Sequence, residues 1–265
     1  MRNRRLAIAS LALVAGLGLT ACGNGDSTST GKTGSGAAAT QAAEKLDPAA
    51  DLAAAAKKLG EQSMKLDMDM AGAMSMTGVA DPKAGTANMT MDMGALGKGA
   101  KIEMRKVGND LYMKFGGQMG DMLKGGSSSK AWMHIDASKL AEGSNYNISP
   151  DDPAGTKAML EAITGVERVG EDGFKGTLDL TKSARFNKGD SLKALGDKAT
   201  KVPFTAKKDS EGRLVELNLD MSAIQPGTGT IKTKYHDFGT PVSVEAPPAS
   251  QVQEMPAQLS GILNA

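Results

Sequence analysis

Three observations predict an α+β domain with one large antiparallel sheet and its helices gathered on one face. Apolar residues recur at every second position in about nine or ten short segments, the period of a half-buried strand. Helix start and stop signals are confined to two places, near the beginning and the middle of the chain. There is no repeat array, no coiled-coil heptad and no Gly-rich phosphate loop between a strand and a helix.

The chain has 265 residues, 31 basic and 30 acidic side chains, 33 Gly, 17 Met, 1 Trp, 3 Tyr and 5 Phe. That length suits one domain with a sizeable core. Balanced charge and few aromatics argue against nucleic-acid binding, which needs basic stripes and stacking platforms. One cysteine excludes an internal disulfide framework and a cysteine-cluster zinc site. The 2 histidines, His134 and His236, are far apart in sequence and offer little for imidazole catalysis or a metal cage.

Residues 1–21 have the three regions of an export signal: Arg2, Arg4 and Arg5, an apolar run from Leu6 to Leu19, then Leu19-Thr20-Ala21-Cys22. The last four residues resemble a bacterial lipobox. That resemblance implies diacylglycerol transfer to the Cys22 thiol, cleavage before Cys22 and often acylation, for example by palmitate, of the new amine. The expected location is then the outer face of the cytoplasmic membrane, with the chain lipid-anchored and extracytoplasmic. Residues 22–45 are rich in Gly, Ser, Thr and Ala, bury too little to fold, and read as a tether. Residues 46–265 read as a single domain.

Within that domain, Asp47-Pro48 caps a first helix that Gly60 ends, with Leu52, Ala56 and Leu59 as its apolar stripe. From Ser63 the period changes to two. Met64, Leu66, Met68, Met70, Met74 and Met76 fall on even positions, while Lys65, Asp67, Asp69, Ser75 and Thr77 fall on odd ones. After the turn at Asp81-Pro82-Lys83-Ala84-Gly85, the same pattern returns at Ala87, Met89, Met91 and Met93. Strands follow at Lys101–Val107, Leu111–Phe115 and Ala131–Ile135. Pro150-Asp151-Asp152-Pro153 opens a second helix carrying Met159, Leu160 and Ile163, which Gly165 stops. Val166–Val169 and Gly176–Leu180 read as strands, and Ser191–Leu195 as a short helical piece. Val202–Lys207, Arg213–Met221, Gly229–Phe238 and Val242–Val244 complete the β pattern. From Pro247 a loosely packed tail is expected.

Eight of the 17 methionines lie between Met64 and Met93. Such a face is either ordinary core or the lining of a cavity. Unbranched, polarizable thioethers repack around apolar guests, whereas a uniquely packed core favours Leu, Ile and Val. The candidate lining is Met64, Leu66, Met68, Met70, Met74, Met76, Met89, Met91, Met93 and Met104. The same sulfurs offer soft ligands for Cu(I), a second reading. No enzyme is expected. Ser127-Ser128-Ser129 has no base beside it, Asp67, Asp69 and Asp92 fall on the solvent side, and His134 with Asp136 lacks a nucleophile.

The order of motifs resembles the actinobacterial LppX/LprG-type lipoproteins, relatives of the LolA/LolB carriers. The segments are Val107-Gly108-Asn109-Asp110-Leu111-Tyr112-Met113-Lys114, Trp132-Met133-His134-Ile135-Asp136-Ala137-Ser138-Lys139-Leu140 and Gly176-Thr177-Leu178-Asp179-Leu180. They continue with Val202-Pro203-Phe204-Thr205-Ala206, Glu211-Gly212-Arg213-Leu214, Tyr235 through Val244, and Pro247-Pro248-Ala249-Ser250-Gln251-Val252. Ala137 stands where the family usually has proline, and the Met-rich strands and the Gly-rich stretch Gly116–Ser129 are departures. The resemblance implies a curved half-barrel whose helices pack on its concave face. It also implies a lipid or lipoglycan ligand, carriage across the cell envelope, a possible transporter partner, no cofactor and no catalytic residue. A surface interaction module without a ligand is a third reading.

Overall fold

A computed structural model of the chain describes residues 47–94, 100–123, 131–140, 160–182 and 196–256. The leader, Cys22 and the tether lie outside these residues, as do Ser127–Ser129, the start of the second expected helix and the expected piece at Ser191–Leu195.

Helix α1, Pro48–Lys57, begins where its sequence signals place it. The Asp47 carboxylate accepts from the Ala49 and Ala50 N–H groups at 3.1 and 3.3 Å, and a 3-10 turn, Lys58–Gly60, ends the helix. The strands are β1 Met64–Met70, β2 Met74–Asp81, β3 Thr86–Asp92, β4 Lys101–Val107, β5 Asp110–Phe115 and β6 Trp132–Asp136. They continue with β7 Ile163–Val169, β8 Gly173–Leu178, β9 Val202–Lys208, β10 Leu214–Asp220, β11 Thr230–His236 and β12 Val252–Glu254. All 12 form one open sheet in the order β12-β6-β5-β4-β3-β2-β1-β11-β10-β9-β8-β7. Neighbours are antiparallel except β12 and β6, which run parallel, so the sheet is mixed rather than purely antiparallel.

Four local differences from the sequence reading have physical causes. The stretch from Ser63 to Gly78 is a hairpin, because Ala71-Gly72-Ala73 turns with Ala71 and Gly72 at positive φ. Ile163 and Gly165 start strand β7 instead of ending a helix. Residues 160–162 are helical, but pairing with β8 captures the β-branched Ile163 and Val166. Part of the expected Gly-rich loop is a short helix, α2, Gly117–Leu123. As far as residue 256 the tail is held: Pro247 is buried and β12 pairs with β6, while Val242–Val244 forms no strand.

Two buried clusters anchor the sheet. Leu52, Ala55 and Ala56 of α1 and Leu59 of the turn after it share one with Met64, Phe174, Leu178, Val202, Phe204, Ala206 and Leu214. Asp51 of α1 ties this cluster down, holding Arg168 of β7 at 2.7 Å and Lys208 of β9 at 2.7 Å. The second cluster lies at the other side of the sheet, where Leu111, Met113, Ile135, Ala137 and Leu140 meet, with Met104 and Met255 packed against it.

Candidate functional site

Directly opposed residues of neighbouring strands share a face, so the strand registers define which side chains lie together. One row runs Phe115, Ile102, Met91, Met76, Met68, Thr233, Leu217, Ala206 and Phe174 across eight strand pairs of the sheet. A second row runs Met133, Met113, Met104, Met89, Gly78, Leu66 and Tyr235. Met74 and Met70 are opposed in a third, beside Ile231 and Leu219. The expected lining residues on these strands therefore share one side, and Met93 continues the β3 alternation just past its end.

Their burial divides them. Met64 is 5% exposed and belongs to the α1 cluster, so it is a packed core residue. Met104 packs against the second cluster. Leu66, Met68, Met70, Met74, Met76, Met89, Met91 and Met93 belong to neither cluster and are all half-buried. The middle of the apolar face thus lies between two packed regions without being part of either. Gly78 admits a close approach in it: a Cβ there would land on the Met89 sulfur and the Asn88 carbonyl, so the Met89 thioether occupies the space over β2 that the glycine leaves.

A cation borders the Met-rich band on this face. Lys106 is the next in-phase position after Ile102 and Met104 on β4, in the row Met64, Ala80, Ala87, Lys106, Leu111, Ile135. It is 8% exposed, donates to the Gly108 carbonyl in the turn, and burial holds its ammonium below the usual lysine range. The sequence reading passed over it. Its signal was a lysine at a position whose parity belongs to the apolar side.

The opposite face is polar and is crossed by the segment after β11. The row His236, Lys65, Val79, Asn88, Arg105, Tyr112 and His134 marks its path. Lys65 pairs with Asp237 at 2.8 Å, Gly239 N–H donates to the Ser63 carbonyl at 2.8 Å, and Arg105 Nη1 donates to the Glu245 carbonyl at 3.4 Å. A pocket of about 220 Å³ lies along this strap, lined by Met64, Lys65, Val79, Asp237 and residues 240–243. At the far end His134 is held between Asp110, 2.7 Å from Nε2, and Glu254, 2.8 Å from Nδ1. Burial opposes its charge, but the two carboxylates outweigh that and hold its pKa above the usual 6.5. Trp132 is buried on the same face, with the Arg105 guanidinium 4.7 Å from its ring centroid.

His134 and Asp136 do not form a catalytic pair. The Asp136 carboxylate instead accepts from the Ser138 N–H at 3.0 Å, capping the turn Ala137–Lys139. Asp67 and Asp69 are exposed, and Asp92 pairs with Lys101 at 3.7 Å. Among the described residues no group of three or more His, Cys, Asp or Glu side chains could hold a metal ion. No helix among them is long and apolar enough to cross a membrane. No known protein-family profile matches the chain, and no curated protein matches it.

Proposed function

We propose that the chain is a lipid-anchored, extracytoplasmic carrier of the LppX/LprG type, binding a lipid or other acyl-bearing molecule on the Met-rich face of a curved half-barrel. The observation that carries this reading is the band Leu66, Met68, Met70, Met74, Met76, Met89 and Met91, apolar and half-buried between two packed clusters. From Ala87 to Met93 the band extends about 20 Å along the strands at ~3.3 Å per residue, against about 15 Å for one leaflet of hydrocarbon. An acyl chain laid there needs dry apolar surface and little directional bonding, and each Å² it covers contributes roughly 25 cal/mol. Adaptable thioethers suit guests of differing shape. Acylation at Cys22 would keep the carrier beside its lipid source and, through more than one chain, hold it firmly. In this reading no residue is catalytic and no cofactor is needed.

Native mass spectrometry of the Cys22→Ala chain, which cannot be acylated, tests the reading. Bound lipid is expected, and Met68→Glu, Met70→Glu and Met91→Glu together should remove it. A chain that is always empty, including after incubation with lipid vesicles, overturns the proposal.

The opposition of Met68, Met76 and Met91 on three adjacent strands favours a second reading, Cu(I) held by thioethers. Replacing the three by leucine should abolish stoichiometric Cu(I) binding while leaving lipid uptake intact.

A further inference from the structure

The cations on the apolar side of the sheet are not treated alike. Arg168 and Lys208 share the Asp51 carboxylate, each with an oxygen at 2.7 Å. Lys106 is more deeply buried than these two half-buried cations, at 8% exposure, yet its partner is the Gly108 carbonyl, and no carboxylate among the described residues lies within ion-pair distance. A buried ammonium with one neutral acceptor keeps unused donors, and leaving it without an anion is costly. Its neighbours across the strands are Ala87 and Leu111, so nothing polar from those positions competes for it. It also sits at one end of the Met-rich band, two residues from the β4–β5 turn, with the thioethers running away from it toward Met70 and Met74.

We propose that Lys106 is the headgroup anchor of the carrier, and that the ligand is an anionic amphiphile. Its phosphate or carboxylate meets the Lys106 ammonium while its acyl chain lies along Met89, Met91, Met76 and Met68. The inference rests on the carrier reading and deepens it: an apolar groove fixes no orientation by itself, and one convergent charge at its end does.

The test offers the Cys22→Ala chain vesicles containing equal amounts of phosphatidylglycerol and phosphatidylcholine with identical acyl chains. The protein is then separated and its bound lipid counted. The wild-type sequence at position 106 should favour phosphatidylglycerol by about tenfold. Lys106→Met should take up both lipids equally with total uptake kept, and Lys106→Arg should retain the preference. Because Lys106→Met could disturb the hairpin, the Lys106 side-chain NMR resonance of the unaltered position is followed as well. It should move with phosphatidylglycerol and not with phosphatidylcholine. Uptake without headgroup preference, or a preference unchanged in Lys106→Met, overturns the anchor and leaves the carrier standing. Uptake of neither lipid overturns both.

Discussion

Asp51 shows how one residue ties a helix to a sheet. Burial raises its pKa, but the hydrogen bonds from Lys208 and Arg168 and their charges outweigh that and hold the carboxyl below its usual 3.8. Asp51→Ala leaves two half-buried cations without their anion and is expected to cost about 1–3 kcal/mol in urea denaturation. A group whose folded pKa is depressed stabilises the fold above its unfolded pKa. The contribution of Asp51 should therefore be present above pH 3.8 and lost as pH falls below it. The pH dependence of the melting temperature, compared between the parent chain and Asp51→Ala, measures this. Gly78 has the opposite character, since what matters there is the missing side chain. Gly78→Ala must displace both the Met89 sulfur and a backbone carbonyl, with an expected loss of about 1–3 kcal/mol, again read by denaturation.

At the level of elements, the strap is fastened through its last strand, and His134 makes that fastening pH-dependent. Both ring nitrogens face carboxylates, an arrangement that only the doubly protonated imidazolium can satisfy with two donors. The Tyr112 ring, 5.2 Å away centroid to centroid, packs on the same histidine. A raised folded pKa means that the stabilisation is full below the unfolded value of 6.5 and is lost as pH rises through the folded one. Amide exchange at residues 252–255 should accelerate as pH is raised through that range by more than the intrinsic rate does. His134→Gln should remove the excess. A protection profile indifferent to this substitution would dissociate β12 from the histidine.

The elements also show which parts of the architecture were readable in advance. The Met segment from 64 to 76 reads as one continuous alternation although it is a hairpin. Its three-residue turn brings Met70 opposite Met74, so even positions stay on one face through the reversal. Parity reported the face correctly and concealed the turn. The same reasoning applied to β4 would have put Lys106 on the apolar side, but a lysine ordinarily marks solvent, and its burial depends on Ala87 and Leu111, which only pairing brings beside it. Strand β12 could not be read at all: Val252-Gln253-Glu254 is too short to show a period, and what makes it a strand is a parallel partner more than a hundred residues earlier. Val79, an apolar residue on the polar face, was the trace of the strap that runs beside it.

For the molecule as a whole, the distribution of burial predicts where substitutions are tolerated. Leu111 is fully buried in its cluster, and Leu111→Ala should cost about 2–5 kcal/mol. Met68, Met70 and Met91 lie outside both clusters, so replacing any one of them by glutamate should cost about 1 kcal/mol or less, comparable to a surface change. Urea titrations of the four variants separate a band that is spare surface from one that is structural core. The second outcome would also remove the surface on which a guest could lie.

Pairing of β12 with β6 has a consequence for how the chain reaches its final state. β1 waits for β11, its neighbour on one side, and β6 waits for residues 252–254, so neither half of the sheet completes from contacts near in sequence. Such non-local closure is slow. A chain ending before residue 252 would leave β6 with a row of open amides and carbonyls beside Met133 and Ile135, a template for joining another molecule edge to edge. The last few residues of the fold therefore act as its stopper during synthesis, and a nascent chain released short of them would be expected to polymerise rather than merely lose stability.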